Sequence, residues 1–464
     1  MNILTKIKND QILNNLSSFF DNKIYLVGGA IRDILLGKEI VDRDLIVTDE
    51  DAKDFAIKVA EFFGGKFIPL DEKNKIYRVV LKDKINYIDI TNPVENSLDK
   101  DIFRRDLTIN AICADIRTGE IYDPACGLRD FKNKLIKGIS EDNFTDDPLR
   151  LLRIFRFYAI LGFEISEDLM NTAKKHAQLI KKTAKERIEN EIMKLFNGDF
   201  AHSAILKMDE AGILELIFPF VIDLKKVPPN SHHHLDLFHH SVETVRQIGI
   251  IYKNSTKEVQ NHLNKVDFGG FPRISHLRLA GFMHDIGKFS TWTIEEATGR
   301  HRFIKHDDVG AQMCSEILKS VAFSNKQINY IKTMIKNHIY PSMVVYAPDL
   351  TDKVKMRFVR KAGENAIDMI TLAKADRLSA LGKDITKKIV EDNISRLNNL
   401  QDFYLKSLET LIPLPKLLDG NEIMKLLDIK PSKYLGEILN SLHQAQLDGE
   451  VTTYEQAVKF VKSF

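Results

Sequence analysis

Leu26-Val27-Gly28-Gly29-Ala30-Ile31-Arg32-Asp33-Ile34-Leu35-Leu36-Gly37, followed by Val41-Asp42-Arg43-Asp44-Leu45-Ile46-Val47, decides the fold of this 464-residue chain. Ile24–Val27 is a short apolar run ending in two glycines, which predicts a strand and a turn. Residues 31–36 then read as a helix stopped by Gly37. Asp42 and Asp44 stand two residues apart at the start of a second strand, so their side chains share one face. Hard oxygen ligands placed together suit Mg2+, which takes one or two carboxylates along with substrate phosphates. Two such ions clamp the attacking and leaving oxygens of an in-line phosphoryl displacement. Gly28 and Gly29 let backbone amides approach phosphate oxygens, the helix start behind them favours an anion, and Arg32 lies beside it. Taken singly, an Asp-x-Asp pair or a diglycine is more often a solvated turn. A Walker A lysine and a GxGxxG are both missing, so the standard P-loop and dinucleotide readings fail.

Outward from this stretch, residues 45–48, 78–81 and Tyr87–Thr91 are further strand candidates, rich in β-branched side chains. From Pro148 the pattern turns helical: Leu149, Leu152 and Phe155 recur at helical spacing, interleaved with Arg150, Arg153 and Arg156. Residues 174–187 read as another basic helix, residues 227–231 as a linker, and Pro413 with Pro415 as a second break. The expected fold is α+β, a small mixed-sheet head over 1–140 followed by all-α segments over 141–226, 227–395 and 396–464. Hydrophobic residues at 44% and charged residues at 28% are those of a soluble globular protein. A net charge of +2 leaves any nucleic-acid binding to local basic patches. Three cysteines without CxxC spacing support neither a disulfide framework nor a thiolate zinc site. No signal peptide or bilayer-spanning run is evident, so a reducing, cytoplasmic setting without a membrane partner is expected.

The opening stretch resembles the signature of the class II tRNA nucleotidyltransferase and bacterial poly(A) polymerase family, and further motifs follow in family order. Residues 101–111, Asp-Ile-Phe-Arg-Arg-Asp-Leu-Thr-Ile-Asn-Ala, resemble the ribose-binding segment, and Asp146-Asp147-Pro148-Leu149-Arg150 resembles the base-recognition segment. There Asp146 replaces the usual glutamate. Residues 186–191, Glu-Arg-Ile-Glu-Asn-Glu, resemble the last head-and-neck motif. The resemblance implies addition of CMP, AMP or both, from CTP and ATP, to the 3′ end of tRNA. Asp42 and Asp44 would hold Mg2+, with Asp89 a weaker metal candidate. Nucleotide contacts would come from Gly28, Gly29, Arg32, Arg105, Asp106, Asn110, Asp147, Arg150, Arg153 and Arg156. Arg104 and Arg105 are open between phosphate contacts and a solvated pair.

Base choice without a template has a chemical rationale. Asp147 and Arg150 are three apart on a predicted helix and so share a face. Cytosine and adenine each place an exocyclic amine beside an unprotonated ring nitrogen; a carboxylate accepts from the first and a guanidinium donates to the second. Guanine and uracil reverse both contacts. The alternative is an i,i+3 surface ion pair. Residues 92–100 are fewer than in many CCA-adding relatives, which leaves CCA, CC-only and A-only addition open.

His240, His284-Asp285, His306, His338 and Asp376 fall in the order of an HD phosphohydrolase domain, with residues 279–288 as an apolar helix ending in adjacent ligands. Imidazole with carboxylate favours a divalent transition metal. The resemblance implies His240, His284, Asp285 and Asp376 as one metal set, His306 and His338 completing a second, and a phosphoesterase activity. His232, His233, His234 and His239 read as solvated or supporting, and His262 and His301 as surface residues. Basic helices over 150–225 and the tail after 395 would contact tRNA phosphates. The rivals are a poly(A) polymerase, a protein-modifying nucleotidyltransferase, and a non-catalytic RNA-binding protein with a degenerate head.

Overall fold

The computed structural model describes residues 3–348, 350–408, 415–448 and 450–464. Pro413 lies outside them. The chain forms two compact units, Met1–Pro219 and Phe220–Phe464.

The first unit is built on a mixed sheet of β1 (Ile24–Val27), β2 (Asp44–Val47), β3 (Lys66–Asp71), β4 (Ile76–Val80), β5 (Tyr87–Thr91), β6 (Cys113–Asp115) and β7 (Ile121–Tyr122). Their spatial order is β3-β4-β5-β2-β1-β6-β7. β2 and β5 run parallel, with Asp44 opposite Asp89, and the other neighbours run antiparallel. A parallel pair needs a crossover, here supplied by helix Ala52–Phe63 and the β3–β4 hairpin. Strand alternation gives the sheet two faces. Leu26, Leu45, Val47, Ile88 and Ile90 pack with Ile31, Ile34, Phe55 and Val59 in one core. Val27, Ile46 and Cys113 turn the other way, onto Ile102 and Ala111. Asp44 and Asp89 share parity with this second face.

The expected helix from Leu149 runs to Leu161 and ends at Gly162 in the left-handed region (φ 65°). Residues 174–187 do not form one helix. Helix Glu167–His176 gives way to a 3-10 turn, Ala177–Lys182, then an extended, buried Thr183 and a new helix, Lys185–Asn197. The lysines there carry no information about this break, because exposed cations suit turns and helices alike.

In the second unit, helices Leu237–Asn254, Arg273–Met283 and Ala366–Ser379 pack against one another. Every residue of Arg273–Met283 is buried, the condition of a central helix. Residues 418–461 gather their own small apolar core around Ile423, Ile438 and Val461. The α+β expectation holds. Short two-stranded ribbons add to the helical regions, Leu135–Ile136 with Glu164–Ile165, Val266–Phe268 with Phe271–Pro272, and Trp292–Ile294 with His301–Phe303. All three cysteines are free thiols. Among the described residues, no helix is long and apolar enough to cross a membrane.

Candidate active site and metal centre

Asp42 and Asp44 line one cavity of about 390 Å3 in the first unit, together with Gly28 and Gly29. Arg43, between the two acids, turns the opposite way: it is 6% exposed and pairs with Asp10 (Nη2–Oδ2 2.6 Å) and Asn86. The sequence-expected sharing of a face is therefore what the backbone delivers. Gly28 has φ 70° and ψ −127°, and a Cβ there would stand 3.0 Å from Arg105 Nη1. That is a backbone position for glycine. Asp42 Oδ1 accepts a hydrogen bond from the Tyr87 hydroxyl at 2.6 Å, which also pushes the phenol up to about 12. Burial and then the Asp89 charge push the Asp44 carboxyl up to about 6, with Arg105 opposing them. Crowded carboxylates of this kind are relieved by a divalent cation, so the donor set fits one. Asp89, the weaker metal candidate, is engaged by Arg78 through both oxygens, each at 2.7 Å.

Beside the acids, Asp106 and Asn110 form the hub of a buried polar network. Arg153 Nε lies 2.5 Å from Asp106 Oδ2, Asn110 donates to Asp106 at 3.2 Å, and Arg32 donates to Asn110 Oδ1 at 2.7 Å. Burial alone would raise the Asp106 carboxyl, but Arg153, Asn110 and the Leu107 amide outweigh it and hold it below the usual range. Arg104 and Arg105 both pair with the buried Asp101, and Arg105 also donates to the Asn110 carbonyl. Arg156 is mostly enclosed, pairing with Glu191 at 3.0 Å, and burial pushes its guanidinium down to about 10. Arg32, Arg153 and Arg156 surround the Phe157 ring at 4.9, 5.5 and 4.0 Å.

Asp147 and Arg150 also line the cavity, but Asp147 does not sit on the helix. It is extended (φ −133°, ψ 93°) because Pro148 follows, and a residue before proline is driven out of the helical region. No i,i+3 ion pair forms between them. Asp147 pairs instead with Arg187 at 3.1 and 2.8 Å, while Arg150 donates to the carbonyls of Arg104 and Asn143.

In the second unit, His240 Nε2 lies 3.2 Å from His284 Nε2, and His306 Nε2 lies 3.3 Å from His338 Nε2. Each Nδ1 faces a main-chain carbonyl, of Ser379, Gly281, Phe303 and Ile335 respectively. A carbonyl can only accept, so each Nδ1 carries hydrogen and each Nε2 is turned inward as a potential ligand. Two groups of potential ligands result, His240 with His284 and Asp376, and Asp285 with His306 and His338. Asp285, expected in the first set, faces both: Oδ2 is 3.1 Å from His284 and Oδ1 is 3.3 Å from His306. The Asp285 and Asp376 carboxylates outweigh burial and raise the His284 imidazole above its ordinary value, the mark of a site that favours positive charge. Four converging imidazoles and two carboxylates fit divalent metal ions.

The remaining histidines sort differently from expectation in one case. His262, expected at the surface, is buried and bonds Asp368 at 2.6 Å, beside Arg273 and Tyr330. His301 is half-buried against Trp292. His233 stands edge-on to His240 at 4.6 Å, His239 bonds the helix-capping Asp236, and His232 and His234 tie the loop at Leu381 and Gly382. Sequence reasoning missed Tyr87 and Phe157, and gave no separate role to Arg187, named only within its motif, or to Lys288, whose Nζ is 2.6 Å from Asp285. Glu191, the partner of Arg156, carried a signal only as part of a motif.

A mixed sheet presenting paired carboxylates beside a diglycine turn, followed by an arginine-rich helix, defines a nucleotidyltransferase head. Residues 24–137 match the family model described as "Poly A polymerase head domain", residues 162–224 "Probable RNA and SrmB- binding site of polymerase A", and residues 237–381 "HD domain". The chain is 31% identical over 452 residues to an A-adding tRNA nucleotidyltransferase from Deinococcus radiodurans, covering 94% of each. It is 27% identical over 440 residues to a CC-adding tRNA nucleotidyltransferase from Thermus thermophilus, covering 94% of this chain and 92% of the relative. The fold is shared with a Thermotoga maritima CCA-adding enzyme solved with tRNA, at a TM-score of 0.55 and 21% identity over 100% of this chain and 94% of that one. It is also shared with a Bacillus stearothermophilus CCA-adding enzyme solved with CTP, at a TM-score of 0.58 and 20% identity over 100% and 96%. The chain belongs to the class II tRNA nucleotidyltransferase and bacterial poly(A) polymerase family, in its form with an HD domain.

Proposed function

We propose that this chain adds CMP, AMP or both, from CTP and ATP, to the 3′ end of tRNA without a nucleic-acid template. One observation carries it: a single cavity brings the carboxylates of Asp42 and Asp44 together with Asp147, Arg150 and a set of further arginines. Full-length relatives named for A and CC addition support the substrate assignment. Mg2+ held by Asp42 and Asp44 would supply Lewis-acid stabilisation of the transferring phosphoryl group and of the attacking 3′-oxygen. Tyr87 fixes the orientation of the Asp42 carboxylate through Oδ1. Gly28 and Gly29 keep the wall low enough for a triphosphate, and Arg32 and Arg105 supply positive charge beside it. Asp106 and Asn110 offer hydrogen bonds to the ribose hydroxyls, and Asp147 with Arg150 reads the base edge.

In the second unit, His240, His284, Asp285, His306, His338 and Asp376 would hold divalent transition-metal ions, and a phosphoesterase activity is the reaction that fits such a centre. The deciding experiment supplies tRNA transcripts lacking CCA, CA or A with each nucleoside triphosphate separately. Addition of C, A or both, ending at the completed terminus, is expected. Long adenylate tails would make the chain a poly(A) polymerase instead, and no addition under any condition would overturn the assignment.

A further inference from the structure

We infer that Arg187 is a specificity-determining positioning residue, which holds the Asp147 carboxylate so that a single acceptor position is left to meet the incoming base. The inference rests on the proposal that Asp147 and Arg150 select the nucleotide.

The hydrogen-bond accounting is short. A carboxylate offers roughly four acceptor positions. Oδ1 of Asp147 takes the Leu149 amide at 3.3 Å and Arg187 Nη1 at 3.1 Å. Oδ2 takes Arg187 Nη2 at 2.8 Å. Among the described residues that leaves one position, on Oδ2. Arg150 is constrained in the same way: its Nη1 donates to the Arg104 carbonyl at 2.7 Å and the Asn143 carbonyl at 3.0 Å. Among the described residues its Nε and Nη2 hydrogens remain to donate. One acceptor beside spare donors is the pattern that an amine next to an unprotonated ring nitrogen satisfies.

The anchor of this arrangement is rigid. Pro148 fixes the backbone of Asp147, so the freedom left is rotation of the carboxylate, and a planar guanidinium fork in two-point contact removes it. Helix Lys185–Asn197 packs on helix Leu149–Leu161, which carries Arg150. The buried Arg156–Glu191 pair ties the same two helices together. The fork is therefore held in register with Arg150.

Without the fork, the carboxylate can turn away. Of the Asp147–Arg150 pair only the donors of Arg150 then face the base, and these suit the carbonyls of uracil and guanine. Loss of Arg187 should relax selection more than it slows transfer.

Single-nucleotide incorporation by the full-length chain tests this, with Arg187→Gln and Arg187→Lys each measured for kcat/KM on CTP, ATP, UTP and GTP. Arg187 is half-exposed, so the substitutions leave the fold in place. The ratio of cognate to non-cognate kcat/KM should fall on the order of tenfold in both, the equivalent of one charge-assisted hydrogen bond. Lysine restores charge without the fork and should not rescue selectivity. In an Asp147→Ala background, Arg187→Gln should change the ratio no further. Unchanged selectivity in both variants, or full rescue by lysine, overturns the inference while leaving base selection by Asp147 and Arg150 intact. A wild-type chain that uses all four nucleotides alike overturns base selection and this inference together.

Discussion

Replacing Asp106 by asparagine should destabilise the first unit by about 2 kcal/mol. Breaking a buried ion pair costs roughly 3–5 kcal/mol because it strands the remaining charge. Arg153 keeps a side-chain exposure of 33%, so water recovers part of that cost. Asparagine also still accepts from the Leu107 amide, which stands 2.8 Å from Oδ1. The loss should depend on pH with a definite sign. Asp106 is held below the usual carboxylate value in the fold. Its contribution is therefore complete above the unfolded-state value of roughly 3.9 and disappears as pH falls through the lower folded value. Hydrogen exchange of the backbone amides around residues 107–116, followed in urea at about pH 7 and again at about pH 3, reads the local opening energy. The gap between wild type and variant should narrow in acid. A gap below about 0.5 kcal/mol at neutral pH, or one unchanged in acid, would refute the assignment of a net-favourable buried pair.

Gly28→Ala should cut nucleotide addition at least tenfold or so, because a residue at φ 70° and ψ −127° is strained by roughly 1–3 kcal/mol and its methyl group displaces Arg105; a folded variant with the wild-type rate would contradict this. Tyr87→Phe should raise the Mg2+ concentration for half-maximal addition several-fold, as Asp42 loses the hydroxyl that orients it, and an unshifted metal titration would exclude that role. His284→Ala should lower the bound divalent metal measured by mass spectrometry and abolish hydrolysis of a chromogenic phosphodiester, with nucleotide addition unchanged; full metal content in the variant would remove His284 from the centre.

What could be read from the sequence was whatever depends on short-range periodicity. Asp42, just ahead of β2, and Asp44 at its start line one cavity with Arg43 turned away, the alternation of extended backbone that local spacing predicts. The helix from Leu149 and the apolar stretch from Leu279 that closes Arg273–Met283 announce themselves in the same local way. Partners set by register were hidden. Tyr87 reaches Asp42 because β5 lies parallel to β2, a pairing across 45 residues that no local pattern encodes. Three-residue spacing predicts Asp147 on the helix of Arg150, and the proline that follows it overrides that spacing. Arg187 was invisible as its partner, forty residues away. His262 gives no local sign of burial because histidine suits both settings, and its carboxylate partner, Asp368, lies over a hundred residues downstream.

The turn of Arg43 away from the cavity ties the amino-terminal segment to the stretch that carries the two acids. Its guanidinium is clamped by Asp10, so trimming the chain past that residue would strand a cation inside the protein, directly between the two acids. An enzyme shortened there should lose its acidic pair first and its sheet afterwards, and linkers or tags belong ahead of the helix Ile3–Asn9 instead of in its place.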